Sequence, residues 1–422
     1  MTVAVAADPV PQRAGATATV TVTPSASPAF AGDAGDPDVV GDGETYYAFT
    51  TGTELGNHIQ VVVDTSGSPT SGYASYTGRD YGSTALAQPP AWEQPTTQTS
   101  PGVFSWGRRW LMYYDAAQAG YAGDTGHDCI SVATAAGLSP ADPQFTDGSG
   151  AGLICQPTGS IDPSPFVDPA TGDAYLVWKQ NDGGSSAQAT IWSQQLSADG
   201  TALVGQPSEI FYNDTVAYPW ESTVEDPDMV DAGGTYYLLF SGGIYTSADY
   251  AEGYAVCSGP TGPCTQPDPN PILSAYASAR GPGGGSLFTD ATGDWWIDYA
   301  AWQGGSDGCT DYPCGATRQL YVAPIVLPGS PADIEVPCKP PAGAPYGYYL
   351  AASDGGIFNH GDLPFCGSTG SVSLRAPVVG MATPSDAGGY WDVASDGGIF
   401  SFGDAPFYGS EGGHPLNEPI VG

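Results

Sequence analysis

Short β-branched or aromatic runs recur along the whole chain, and each is cut off by Gly, Asp or Pro. Thr235–Phe240, Cys129–Thr134, Ala189–Gln195 and Tyr254–Cys257 are examples. No long stretch places apolar residues at the 3.6-residue spacing of a helix face, so the pattern predicts an all-β chain. Val224–Gly242 (VEDPDMVDAGGTYYLLFSG) shows the unit most clearly. Acid groups lie beside a proline, a short apolar step follows, then a Gly-containing turn, then an aromatic strand. That is the pattern of a β-hairpin.

The same unit recurs. GDPDVVGDGETYYAFTTG contains Pro37, TSPGVFSWGRRWLMYYDA Pro101, IDPSPFVDPATGDAYLVWK Pro163, the Val224 unit Pro227 and RGPGGGSLFTDATGDWWIDYAAW Pro282, at intervals of 64, 62, 64 and 55 residues. Five units, each large enough for a four-stranded sheet, predict a five-bladed β-propeller over residues 31–328, with Arg318–Val326 returning to close the ring. Residues 1–30, rich in Ala, Thr, Val, Ser and Pro, are expected to be a flexible tail with at most one strand, in Thr17–Thr23. Residues 329–344 are Pro-rich and expected to be a linker. Beyond residue 345 the sequence pattern changes. GYYLAASDGGIFNHGDLPFCGS is followed 42 residues on by GYWDVASDGGIFSFGDAPFYGS, a tandem duplication over residues 345–422 expected to form small β repeats.

Charge narrows the partners. There are 45 acidic and 9 basic residues, a formal net charge of −36. Such a surface repels phosphate backbones and anionic lipid, so neither nucleic acid nor a membrane is an expected partner. No apolar run reaches the roughly 20 residues of a membrane span. Eight cysteines, none in CxxC spacing with histidines, point to structural disulfides in an oxidising compartment and not to zinc. Cys257/Cys264 and Cys309/Cys314 suit local bridges, while Cys129/Cys155 and Cys338/Cys366 would close longer loops. Other pairings are open on sequence alone. Met1–Ala29 has no charged start followed by an apolar core, so no signal peptide is visible. The cysteines nevertheless favour a secreted protein, and a monomer is expected.

In a propeller, equivalent positions of the innermost strands converge at one mouth of the central channel. Asp36 and Asp162 immediately precede their repeat prolines, and Glu225 lies two residues before Pro227. Three carboxyls at one mouth would suit glycosidic bond cleavage, in which one donates a proton to the leaving oxygen and another activates water or attacks. A third carboxylate nearby raises the acid's pKa by like-charge repulsion. The plainer alternative is that Asp-Pro and Glu-Asp-Pro favour turns and strand starts.

GDPDVV with YYAFTT, MYYDAA, HDCISVATA, SIDPSPFVDPATGDAYLVWK, WESTVEDPDMVDAGGTYYLLFSGG and RGPGGGSLF resemble, in order and spacing, the motifs of glycoside hydrolase family 43 over residues 31–328. The resemblance implies a five-bladed propeller that hydrolyses α-L-arabinofuranosides or β-D-xylosides with inversion. It implies Asp36 as general base, Asp162 as the residue that orients the acid and modulates its pKa, and Glu225 as general acid. Inversion sets a base-to-acid separation of roughly 6.5–9.5 Å. Some positions depart from the family pattern. Thr99-Ser100-Pro101 stands where Trp-Ala-Pro is frequent. Many members hold a central metal or water through a fifth-blade histidine. Here the corresponding stretch has Gly284, and the frequent Tyr-His pair reads Tyr299-Ala300. No cofactor is required, and a central calcium ion is left in doubt. Asp226 occupies a place usually held by a small residue, where it would either raise the pKa of Glu225 or displace it as the acid.

Trp220, Trp92 and Trp302 are candidate sugar-stacking walls, each with blade packing as the alternative. Arg280 would bind a substrate hydroxyl or pair with an acid, and Glu221 is a rival acid. The leading reading is a secreted inverting glycosidase acting on arabinose- or xylose-containing polysaccharides, most readily an α-L-arabinofuranosidase or arabinanase. The alternatives are a carbohydrate-binding propeller without catalysis and a surface glycan-adhesion protein. The duplicated region resembles modules appended to secreted actinobacterial proteins, where it would either contact cell-wall or plant glycans or merely space the enzyme.

Overall fold

The computed structural model describes residues 20–51, 59–74, 83–86, 88–120, 127–139, 145–180, 188–304, 316–328, 347–361, 369, 374–384, 389–403, 405, 408–412 and 416–421. The expected linker and the pairs Cys309/Cys314 and Cys338/Cys366 lie outside them. Among the described residues there is no helix. The chain divides into two compact units, Met1–Pro328 and Gly329–Gly422.

In the first unit a short strand β1 (Thr21–Val22) precedes the blades. Blade one is β2 (Gly35–Asp42), β3 (Thr45–Thr51), β4 (Ile59–Asp64) and β5 (Ser83–Thr84). Blade two is β6 (Thr99–Trp106), β7 (Arg109–Ala117) and β8 (Asp128–Ala135), with bridges from Thr134 to Thr146 and Ile130 to Ile154 along its outer edge. Blade three is β9 (Ser160–Val167), β10 (Ala174–Gln180), β11 (Thr190–Leu196) and β12 (Leu203–Tyr212). Blade four is β13 (Val224–Ala232), β14 (Thr235–Gly242), β15 (Ala251–Cys257) and β16 (Cys264–Thr265). Blade five is β17 (Arg280–Thr289), β18 (Trp295–Gly304) and β19 (Ala316–Val326), completed on its outside by β1.

These sheets form a five-bladed propeller. The innermost strands contact one another in a closed circuit: β2 packs on β6, β6 on β9, β9 on β13, β13 on β17, and β17 back on β2. Each interface between blades has its own apolar cluster, which explains why the middle strands read as nearly continuous apolar runs. In β3, Tyr47 and Phe49 face Met112 and Tyr114 of blade two. Tyr46 and Ala48, on the opposite face of the same strand, meet Phe288 and Leu320 of blade five. Leu111 and Tyr113 pack with Leu176 and Trp178, Val177 and Ile191 with Leu238 and Phe240, and Leu239 and Tyr254 with Tyr299 and Tyr321. A strand's two-residue alternation thus supplies two interfaces at once.

The described end of the segment expected to be a tail is not loose. Thr21 and Val22 pair with Val326 and Ile325, and the Ala29 N–H donates to Leu320 O at 2.8 Å. Thr21 and Val22 therefore supply the outer strand of the last blade and tie the ring shut. Cys129–Cys155 and Cys257–Cys264 form disulfides within blades two and four.

The second unit contains the sheet β20 (Gly347–Ala351) with β21 (Ile357–Gly361), and the sheet β22 (Val378–Ala382), β23 (Gly389–Ala394) and β24 (Ile399–Gly403). Its turns recur. Gly356 N donates to Asp354 Oδ1 and Gly398 N to Asp396 Oδ1, Thr369 N to Gly355 O and Glu411 N to Gly397 O, Val378 N to Ser353 O and Ile420 N to Ser395 O. Gly355 and Gly397 sit at φ 83° and 82°, a left-handed conformation that favours glycine.

Candidate active site

The residue before each repeat proline is left-handed: Asp36 (φ 45°), Ser100 (48°), Asp162 (55°), Asp226 (48°) and Gly281 (53°). Proline restricts the residue before it, and a left-handed non-glycine costs about 1–2 kcal/mol. All five inner strands slip register close to this point, as between Gly35 and Asp38 in β2 and between Glu225 and Asp228 in β13. A bulge re-aims its residue. Asp36, Ser100, Asp162 and Asp226 accordingly line one end of a channel of about 520 Å³. Its other end, beyond the same strands, is lined by Val40, Trp110, Val167, Asp231 and Trp295.

The bulges are held in place by the preceding blade. Ser100 N donates to Thr51 Oγ1 (3.0 Å), Asp162 N to Asp115 Oδ1 (3.1 Å), Asp226 N to Asp162 Oδ2 (3.2 Å) and Gly281 N to Ala248 O (3.2 Å). Farther along the strands, Asp38 accepts from Val103 N, Asp228 from Leu287 N (2.8 Å) and the fully buried Asp298 of β18 from Val39 N (2.8 Å). Carboxylates thus serve as staples between blades, which accounts for part of the acid excess on physical grounds.

Of the three sequence-predicted acids, Asp36 and Asp162 line this mouth, and Glu225 lies beside it, next to the lining residue Asp226. Asp36 Oδ1 accepts a charge-assisted bond from Arg318 Nη1 at 2.8 Å. Glu225 Oε2 pairs with Lys179 Nζ at 2.9 Å, and its Oε1 accepts from Tyr250 Oη at 2.8 Å. Tyr250 Oη also lies 2.8 Å from Asp226 Oδ2. Asp162 links the two sides through Asp226 N. Burial, reinforced by the Glu225 charge and opposed by Lys179, pushes Asp162 up to about 7. Burial together with Asp162, Asp36 and Glu225 holds Asp226 well above the usual carboxylate range, with Arg318 pulling the other way.

The run Gly281–Gly285 makes room for these contacts. A Cβ on Gly283 would lie 2.3 Å from the Tyr250 ring. One on Gly284 (φ 64°) would stand 3.0 Å from Arg318 Nη2, 3.2 Å from Asp36 Oδ1 and 3.4 Å from Asp226 Oδ2. Gly284 therefore marks the point on which base, guanidinium and fourth-blade acid converge. It offers no side-chain ligand, and a guanidinium faces it, so the donor set does not fit a resident cation there.

The scan against family models matches residues 25–327 to glycosyl hydrolases family 43. The chain belongs to that family. This glycoside hydrolase resembles a thermostable family-43 glycoside hydrolase at 22% identity, covering 73% of this chain and 94% of that one with a TM-score of 0.60. An endo-arabinase from Bacteroides thetaiotaomicron is similar at 18% identity, 74% and 99% coverage and a TM-score of 0.54. An α-L-arabinofuranosidase from Lactobacillus brevis is similar at 17%, 69% and 90% coverage and 0.55. A search of curated proteins finds no match.

The remaining candidates in the glycoside hydrolase fall elsewhere. Trp220 stacks on Phe240 (5.8 Å between centroids, 11° between planes) and covers Gly242, whose Cβ would be 2.2 Å from its ring. Packing claims that face. Trp92 donates from Nε1 to Ser149 Oγ at 3.0 Å and packs against the cluster between blades one and two. Arg280 Nη2 donates to Gly304 O at 2.6 Å, its own sheet's edge. Trp302 is buried but backs the site: its ring lies 6.0 Å from Arg318 Cζ, and Nε1 donates to Tyr245 O at 2.7 Å. Glu221 is fully buried and accepts from Asp214 N, so it is no rival acid at the mouth. Sequence reasoning missed Arg318, Lys179, Tyr250 and Asp115. The only local signals were the scarcity of basic residues and the strand endings VWK and MYYD.

Proposed function

We propose that this glycoside hydrolase is a secreted, inverting enzyme of arabinose- or xylose-containing polysaccharides, most readily an α-L-arabinofuranosidase or arabinanase. The observation that carries the reading is the gathering of Asp36, Asp162 and Asp226 on one channel mouth with Glu225 beside them, Arg318 holding Asp36 and Lys179 holding Glu225. Asp36, with one oxygen fixed by Arg318, offers the other to a water that attacks the anomeric carbon. Glu225 protonates the departing oxygen. Asp162 orients the fourth-blade bulge through the Asp226 N–H and sets a carboxyl beside Glu225. The chemistry uses no cofactor. The arabinan-acting names among the structural neighbours support the substrate class.

The test is release of pentose from arabinan, arabinoxylan and nitrophenyl pentosides by the wild type, Asp36→Asn and Glu225→Gln. Each substitution should lower turnover by about 10²–10⁴-fold or more with the melting transition intact. Full turnover in both variants would overturn the assignment. In the second unit, Tyr348, Leu350 and Phe358 are more than half exposed, and Tyr348 stacks on His360. That aromatic display supports glycan contact by this region, which deletion of residues 345–422 would weaken on insoluble polysaccharide without altering soluble-substrate turnover.

A further inference from the structure

Tyr250 carries one phenolic hydrogen, yet its oxygen lies 2.8 Å from Glu225 Oε1 and 2.8 Å from Asp226 Oδ2. Two ionised carboxylates cannot both accept from a single O–H, so one must be protonated and donate back to the phenol oxygen. Lys179 Nζ forms an ion pair with Glu225 Oε2 at 2.9 Å. Among the described residues Asp226 makes no such ion pair. It is faced by Asp162 from β9, Asp36 from β2, Glu225 from its own strand, the Tyr250 hydroxyl, and Arg318 from β19.

We infer that Asp226 is the resting store of the proton that Glu225 delivers, and that Tyr250 Oη passes it between them. The inference rests on the glycosidase reading of Glu225. The step balances: the Asp226 carboxyl O–H breaks as its proton moves to Tyr250 Oη, and the phenol's own proton moves to Glu225 Oε1. Asp226 is left ionised, Tyr250 remains a neutral phenol, and Glu225 becomes the neutral acid. Asp226 therefore acts through Glu225 and not on the substrate. Burial and three neighbouring carboxylates hold its carboxyl well above the ordinary range, which agrees with this placement of the proton.

Two measurements test it on the full chain. In the infrared difference spectrum of wild type minus Asp226→Gly at neutral pH, a protonated-carboxyl C=O band that shifts in D₂O is expected. Glycine suits the left-handed φ, so the variant should fold. Absence of the band overturns the store whether or not the protein turns over any substrate. In kinetics, Asp226→Asn and Tyr250→Phe should each move the alkaline limb of kcat/KM down by about one pH unit, a tenfold loss on its high-pH side. Their rates should also fall more steeply with leaving-group basicity than the wild-type rate does. Unchanged pH profiles in both variants overturn the relay, and an unchanged profile in Tyr250→Phe alone overturns the role of the phenol. A wild type that hydrolyses no glycoside refutes the glycosidase reading and, with it, the delivery step.

Discussion

Glu252 in β15 is fully buried, and its Oε2 accepts from Ser241 Oγ at 2.9 Å. Ser241 Oγ in turn accepts from Gly284 N at 2.7 Å, so this acid underpins the segment on which Asp36 and Arg318 converge. Burial pushes the Glu252 carboxyl from 4.5 up to about 8. Between those two pH values the folded protein keeps a proton that the unfolded chain has lost. A raised carboxyl therefore costs stability as pH rises, and the loss is complete above the folded value. At about 1.4 kcal/mol per pH unit the full cost is on the order of 5 kcal/mol. Glu252→Gln preserves shape and an acceptor for Ser241 but cannot ionise. Urea unfolding of both proteins at intervals from pH 4.5 to 8.5 reads the difference. Near pH 4.5 the two should agree within about 1 kcal/mol, the error expected for a neutral swap. By pH 8 the variant should be the more stable by several kcal/mol. A difference that stays constant with pH, or a wild type that gains on the variant as pH rises, would refute the burial reasoning.

The same sign applies to Asp38, pushed up to about 7, and Asp228, up to about 6, both by burial, so wild-type unfolding free energy should decline overall from about pH 5 to pH 8. Gly102→Ala would set a Cβ 2.2 Å from Pro163 O, wedging blade two from blade three, and should lower stability by about 1–3 kcal/mol in thermal melts. Trp220→Ala should destabilise by about 3–5 kcal/mol through its lost stack on Phe240. It should leave KM nearly unchanged, whereas a large KM rise at intact stability would restore the sugar-wall role.

Much of the ring was legible because a propeller repeats a local sentence. Proline spacing located all five inner strands, and Asp36 and Asp162 at the same place in that sentence pointed to the mouth. The partners were not legible because they come from other blades. Arg318 reaches Asp36 across 282 residues, and Lys179 reaches Glu225 across 46. The tryptophans were ambiguous for a related reason: a large aromatic suits a sugar wall and an interface between blades equally, and Trp92 and Trp220 pack at such interfaces. The repeat also places the fourth-blade acids more finely than proline spacing alone. Asp226, not Glu225, occupies the left-handed position before its proline that Asp36 and Asp162 occupy. Glu225 is the residue beside the bulge, turned toward Lys179 and Tyr250.

The central claim is that water, activated by Asp36, displaces a leaving group protonated by Glu225 on the opposite face of the sugar. Proton NMR of the first-formed product, recorded before mutarotation, tests it directly. Attack from the opposite face predicts a hemiacetal of inverted anomeric configuration. A product that retains the substrate's configuration would contradict it.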